Sequence, residues 1–475
     1  MSRLLFRLFL ILIGSSTLHA QSEPYNDKLE PILSLSEYLQ LVYDFHPIAK
    51  QAELRANSAA ANILKARGAF DPQLKASYSG KEFLGTDYFD ILNTSLTVPT
   101  WYGIELKAGF DEADGVFLNP ENFIPNNEQL FSAGISISVG EGLIIDKRRA
   151  TLKQARLLAT LTQNEQQLAL NNLLTNAALS YFDWIKSYKQ LTTYERFLKN
   201  AQLRFEGIRE QVIVGDKAAI DSLEANITVQ NRRLSLEQAR LDYRNTQLAV
   251  SNFLWGNRGI PLELENNTIP QIDVSSELDL LLQLSNNLDA DFTIENHPKI
   301  NALRQKVDVL DVDRKFKADK LKPKLDLNYS FLNQDPTNLN QFNTSDFKAG
   351  FNFSLDIFLR KERGDLKLAK IKVEDAEYDY QQASLLLSNK IEASYNALQS
   401  FVKQTRVNSQ IVADYNTLLK AEERKFEVGE SSVFLINSRE RSLIDTQLKQ
   451  IEIENKLLKA KAKLFNTLGN DPFGT

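Results

Sequence analysis

Proline and glycine are the strongest interrupters of an α-helix, and this chain omits them over two very long stretches. Between Leu143 and Trp255 there is no proline, and the only glycines are Gly207 and Gly215. Between Asp365 and Leu468 there is again no proline, and one glycine, Gly429. The stretches align without a gap at an offset of 214 (429 − 215), which pairs Tyr181 with Tyr395 and Leu254 with Leu468. Each reads as two helices meeting at its glycine: 148–213 with 217–254, and 363–427 with 431–468. The first of these helices would be about 100 Å long at 1.5 Å per residue, whereas helices of globular domains average about 11–12 residues. A chain built this way makes a tube or rod, not a compact core.

A second duplicated phrase precedes each stretch. His46-Pro47 opens a helix to about residue 67, and Asp71-Pro72 closes the segment. His297-Pro298 opens a helix over 298–319, and Lys322-Pro323 closes it. With Leu35–Phe45 before it, the first copy makes a helical region over 35–67. Proline is favoured at the first helical turn because its missing N–H has no partner there. His46 and His297 are the only histidines after residue 20. They read as residues preceding a helix-starting proline, not as a metal pair.

Alternating sequence follows each short helix. Leu74, Ala76 and Tyr78 alternate with polar residues, as do Leu325, Leu327, Tyr329 and Phe331. Return strands alternate too: Phe131 to Val139 in the first repeat, and Phe347 to Leu355 in the second. Strands are thus expected within 73–139, and at 324–333 and 346–357. A barrel strand crossing a bilayer needs this period, and so does a half-buried soluble sheet. The first repeat carries 37 more residues between its helices, since 297 − 46 is 251 and 429 − 215 is 214. They hold two further candidate strands, 88–98 and 102–110, around the turn Pro99–Gly103, with 111–127 as an external loop. Helices on one side of a membrane require an even number of crossings per repeat.

The chain divides accordingly: 1–20, a first repeat 21–255, a joining belt 256–296 with a helical run at 278–284, a second repeat 297–470, and a tail 471–475. Residues 1–20 combine Arg3 and Arg7, an apolar centre and small residues to Ala20, the pattern of a secretory signal. There is no cysteine, which excludes disulfides, thiolate metal sites and a lipidated N-terminal cysteine. Two of the 56 basic residues lie in 1–20, leaving 54 against 61 acidic, a balance that does not favour nucleic acid. Mean hydropathy of −0.31 is too low for a helical membrane protein. No phosphate loop, paired-histidine site or nucleophile elbow occurs, so neither an enzyme nor a cofactor is expected. Leu170, Leu174, Ala177, Tyr181, Trp184, Tyr188 and Leu191 step by four and three, a heptad packing seam.

In this order and duplication the chain resembles the TolC family of outer-membrane efflux ducts. The stretches that carry the likeness are Arg149-Ala150-Thr151-Leu152, Val214-Gly215-Asp216, Val428-Gly429-Glu430 and Leu464-Phe465-Asn466-Thr467-Leu468-Gly469. The resemblance implies a mixed α and β membrane protein, a tandem-repeat homotrimer with a shared outer-membrane β-barrel and a periplasmic α-helical coiled-coil tunnel. It implies lipid around the barrel, a periplasmic adaptor docked at Val214, Gly215, Asp216, Val428, Gly429 and Glu430, and an inner-membrane transporter behind it. The usual member has two strands per repeat, so six per chain, or an extracellular hairpin, would be a departure. The family's acidic mouth positions after the second-repeat glycine are here Leu435 and Ser438. Lys217, Asp221 and Glu224, spaced i, i+4 and i+7, are the candidate gate instead. The rival reading is a soluble periplasmic coiled-coil scaffold or adaptor, which should show one hairpin and an inner-membrane anchor.

Overall fold

The computed structural model describes residues 31–124, 129–281, 293–335 and 344–470. The expected signal 1–20, the tail 471–475 and residues 282–284 of the belt's helical run lie outside these. The chain forms α1 (Leu35–Phe45), α2 (Pro47–Arg67), β1 (Gln73–Phe83), β2 (Thr86–Pro99), β3 (Ile104–Asp114) and β4 (Gln129–Gly140). It continues through α3 (Lys147–Ile213), α4 (Ala219–Ser251), α5 (Ser275–Leu281) and α6 (Pro298–Asp319). Then come β5 (Lys324–Asn333), β6 (Phe347–Ser354), α7 (Arg360–Glu427) and α8 (Val433–Leu468).

The helices form two hairpins, α3 with α4 and α7 with α8, while α2 and α6 flank α3, and α3 also packs on α8. Both short helices start as their proline dictates. His46 and His297 stand at the N-cap, each accepting the N–H two residues on through its imidazole Nδ1, at 3.2 and 3.0 Å. The main core gathers where α3 crosses α1, the belt and the end of α8: Tyr38, Tyr181, Phe182, Trp184, Ile185, Leu278, Leu464 and Phe465 are buried there. The expected heptad seam is part of this core, but Leu173, Ala178, Phe182 and Ile185 are buried beside it, because α3 is covered from several sides rather than by one partner helix. The belt is held by main-chain pairing. Ile32 and Leu33 pair parallel with Ile269 and Pro270, and the Tyr181 hydroxyl donates to the Leu33 carbonyl at 2.5 Å while accepting the Gln271 N–H at 3.0 Å.

All six long strands join one antiparallel sheet in the order β6-β5-β4-β3-β2-β1. The extra segment of the first repeat is therefore part of this sheet, not a separate external hairpin. Residues 111–114, expected in the external loop, extend β3: Asp111 pairs with Leu130, and Asp114 with Asp90. The turn between β2 and β3 lies where the sequence places it, closed by the Thr100 N–H on the Ile104 carbonyl at 2.9 Å, with Gly103 at φ +78. Its Trp101 ring stacks on Phe70, centroids 4.2 Å apart, so this turn sits at the helical end of the sheet.

Register sets apolar residues opposite one another along the middle of each strand pair. Leu74 opposes Leu96, Leu96 opposes Ala108, Leu106 opposes Ile135, Ile135 opposes Tyr329, and Tyr329 opposes Ala349. Opposed residues share a face, so one face is apolar from β1 to β6. The other carries Lys75, Ser95, Lys107, Ser136, Asn328 and Gly350.

Candidate functional site: the helical tips and the cluster behind them

At the end of each hairpin a glycine closes the helix. Gly215 has φ +81 and Gly429 φ +80, the left-handed region that a side chain disfavours. The turns close in the same way: the Gly215 N–H binds the Val212 carbonyl and the Asp216 N–H that of Gln211, while Gly429 binds Phe426 and Glu430 binds Lys425. This is a helix C-terminal motif that needs one left-handed residue. A Cβ on either glycine would meet nothing within 4 Å. The requirement is thus for backbone conformation, not room. Around these turns Ile213, Val214, Ile220, Val428 and Phe434 are exposed, an apolar tip on otherwise polar hairpins.

Of the three residues proposed as a gate, Asp221 and Glu224 lie on the first turns of α4, but Lys217 does not. Helix α4 begins at Ala219 behind an extended Ala218 at ψ 146. The glycine turn draws the Asp216 and Lys217 N–H groups back to the Gln211 carbonyl, so the i, i+4, i+7 alignment fails at its first member. The Lys217 ammonium instead sits 4.3 Å from the centroid of Phe426, tying the first tip to the second hairpin. Glu224 turns the same way, its Oε1 accepting from Asn437 Nδ2 at 3.5 Å.

Behind the tips lies a cluster that the sequence did not single out. Glu440 of α8 is 1% exposed. Arg204 of α3 reaches its Oε1 with Nη2 at 3.1 Å, and Arg232 of α4 reaches Oε2 at 3.6 Å. Arg204 also donates to Asn437 at 3.3 Å and lies 3.8 Å from Glu423 of α7. Three long helices thus meet at one carboxylate, and Arg204 brings in the fourth through Glu423. A buried charge persists only when paired. A signal was present: Val433, Ile436, Glu440, Leu443 and Ile444 form one buried stripe, and a lone acid within it demands a partner.

At the opposite end of α3, a cavity of about 470 Å³ opens between the polar face of the sheet and the helix starts, lined by Lys107, Ser138, Asp146, Arg148 and Asp326 among others. Its groups pair across strands, Lys107 with Asn328 at 3.1 Å and Ser138 with Asp326 at 2.6 Å, and from helix to strand, Arg148 with Glu105 at 2.9 Å. Among the described residues no group of histidine, aspartate and glutamate could hold a metal ion. Among them, too, no helix is long and apolar enough to cross a membrane.

Long paired helices carry a two-faced sheet at one end and glycine tips at the other. The fold is that of the outer-membrane efflux channels. Over 92% of this chain it superposes on the CmeC outer membrane channel of Campylobacter jejuni (TM-score 0.61, 15% identity, 85% of that chain). It likewise superposes on VceC of Vibrio cholerae (0.63, 14%, 96% of that chain) and on the open state of MtrE from Neisseria gonorrhoeae (0.62, 14%, 89%). Residues 291–470, the end of the belt with the second repeat, match the family model described as outer membrane efflux protein. Comparison with curated proteins returns no match.

Proposed function

We infer that this chain is the outer-membrane duct of a tripartite efflux or export system, with its helices forming a tunnel in the periplasm. The sheet carries the inference. A soluble sheet would cover its apolar face with helices, yet Leu74 is 72% exposed, Leu106 49% and Phe351 71%. Both edges, β1 and β6, are also unpaired and exposed along their whole length. Long open edges invite another chain, and six strands are fewer than the eight or so of the smallest membrane barrels. Three copies joined edge to edge would give an 18-stranded barrel (3 × 6), apolar to lipid and polar to the lumen. The mature chain should fractionate with the outer membrane as a detergent-stable trimer and conduct ions in planar bilayers. Release as a monomer by osmotic shock overturns the reading and favours the soluble scaffold.

The tips then point away from the membrane. There Val214, Gly215, Asp216, Val428, Gly429 and Glu430 dock a periplasmic adaptor, which joins the duct to an inner-membrane transporter. Exposed apolar residues beside a close-approach glycine support this reading. Asp221 and Glu224, three copies of each, form the cation-favouring part of the mouth. Asp221→Asn with Glu224→Gln should lower cation selectivity of the reconstituted channel at low salt; unchanged selectivity removes them from the mouth.

A further inference from the structure

The two repeats leave the sheet in different ways. In the first, Leu143 and Ile144 are exposed and the chain enters α3 through Asp146. That carboxylate accepts the Arg149 N–H at 2.8 Å and lies 3.4 Å from the Arg149 Nε and 3.9 Å from Arg148. The cations at this helix start thus have an anion of their own.

The offset of 214 carries these positions to Ile357, Phe358, Arg360, Glu362 and Arg363, with Lys361 standing for Lys147. An arginine replaces the capping aspartate. No side chain caps α7, and its N-cap is Leu359 at φ 48. Arg360, Lys361 and Arg363 are exposed, and among the described residues none makes an ion pair. Cations at a helix N-terminus oppose its dipole, and within the first turn only Glu362 offsets these three. No acid pairs with them directly: Asp365 is engaged by Lys317 at 3.1 Å, and among the described residues neither Glu362 nor Asp356 makes an ion pair.

What lies on the sheet side of these cations is apolar. Phe347, Phe351 and Phe353 share the outer face of β6, Leu355 and Ile357 follow just beyond its end, and all are exposed, Ile357 by 85%. Phe358 is exposed beside them, with the Arg360 guanidinium 5.0 Å from its ring centroid. The stripe continues without a break from the lipid-facing strand to the cations, as a membrane surface would require.

We propose that this junction binds anionic phospholipid of the periplasm-facing leaflet. Arg360, Lys361 and Arg363 hold the headgroup phosphate, while Ile357 and Phe358 lie against the acyl chains. The proposal rests on the sheet being a membrane barrel wall. Basic residues next to a bilayer are held by anionic lipid, and apolar residues beside them bury at the acyl boundary. The first repeat, with Asp146 in place, does not offer this site.

The full-length protein in detergent, titrated with fluorescent phosphatidylglycerol and with phosphatidylcholine, tests it. The wild type should prefer phosphatidylglycerol. Arg360→Gln/Lys361→Gln/Arg363→Gln should lose that preference by on the order of a hundredfold at low salt. Lys367→Gln/Lys370→Gln/Lys372→Gln, the same charge removed further along α7, should keep most of it. In nanodiscs, Phe358→Trp should be quenched by acyl-brominated lipid. Wild-type affinity in the first triple variant, or an unquenched Trp, overturns the proposal. So does loss of the oligomer in that variant, which would put the three cations at a contact between copies. If the wild type enters no nanodisc of either lipid, the barrel reading itself has failed.

Discussion

Helices α3 and α7 are copies of one another, of 67 and 68 residues, yet the structure buries them very differently. Tyr181 of α3 is fully buried between Tyr38 and Trp184; its counterpart Tyr395 is 40% exposed. Along α7 Leu368, Ile371, Tyr378, Leu385, Leu386, Val402 and Val407 are exposed as well. The first repeat finds its cover within the chain, from α2, α8 and the belt. The second repeat presents the same kind of helix with one side open. A duplicated unit that is complete in one copy and incomplete in the other expects a neighbour of its own kind, and the open edges β1 and β6 give the same answer.

The sharpest way to break this comparison is to charge the open side. Leu385→Lys with Leu386→Lys should leave the protomer folded and abolish the proposed trimer, read by light scattering in detergent. In α3 the same intent requires only Trp184→Ala, which should cost about 3–5 kcal/mol and damage the protomer itself. If the α7 variant stays trimeric, its exposed face is not the contact.

Next in size is the cluster that ties the two hairpins together. Glu440→Gln leaves Arg204 and Arg232 without their shared anion, and disrupting a buried pair costs about 3–5 kcal/mol. In the proposed duct the loss falls at the tunnel end, so resting conductance should rise while the oligomer persists. Wild-type conductance together with a wild-type denaturation midpoint would show that the four helices are held by their apolar contacts alone.

Smaller still is the effect of the tip glycines on folding, though not on docking. Gly215→Trp with Gly429→Trp meets open space at both Cβ positions, so the cost is that of left-handed backbone, about 1–2 kcal/mol per site. Export should be lost with trimer and membrane insertion intact. Gly→Asn at both sites tolerates the same φ and separates turn geometry from bulk: unchanged export with tryptophan refutes docking at the tips.

Much of this architecture was legible because its signals are local. Missing prolines and glycines mark the helices, and period-2 alternation marks the strands. The glycines at 215 and 429 mark the turns. What escaped depends on contacts between distant segments. Lys217 was placed on a helix because no cap residue announces Ala218, and the Gln211 carbonyl that draws Lys217 away lies in the preceding helix. Whether the extra strands belong to the sheet could not be read from alternation, which an external hairpin shares; the pairing of β3 with β4 and of β1 with β2 decides it. The Glu440 cluster joins four helices with no fixed spacing between its members. Its only trace was an acid in an apolar stripe.

The smallest expected effect concerns the paired histidines, where both repeats agree. His46 is 8% and His297 4% exposed, and burial holds each below the usual imidazole value, with Lys299 and Lys390 adding to the effect at His297 and the Thr467 carbonyl opposing it. Neutrality is also what the cap requires, because Nδ1 must keep a lone pair to accept the Lys299 N–H. Above pH of about 6.5 the imidazole is neutral in both folded and unfolded chains. Below that value the unfolded chain takes up a proton first, so stability falls as pH drops towards the lowered folded value. His297→Asn keeps a capping acceptor that does not titrate. Hydrogen exchange in the first turn of α6 should therefore quicken between pH 7.5 and 5 in the wild type more than in His297→Asn, after correction for intrinsic exchange. His297→Ala should weaken the cap by about 1 kcal/mol at pH 7.5 and by less at pH 5, where the wild type has lost part of its own advantage. Equal pH dependence in the wild type and the asparagine variant would mean that the imidazole is already protonated in the folded chain, or that the cap contributes nothing there.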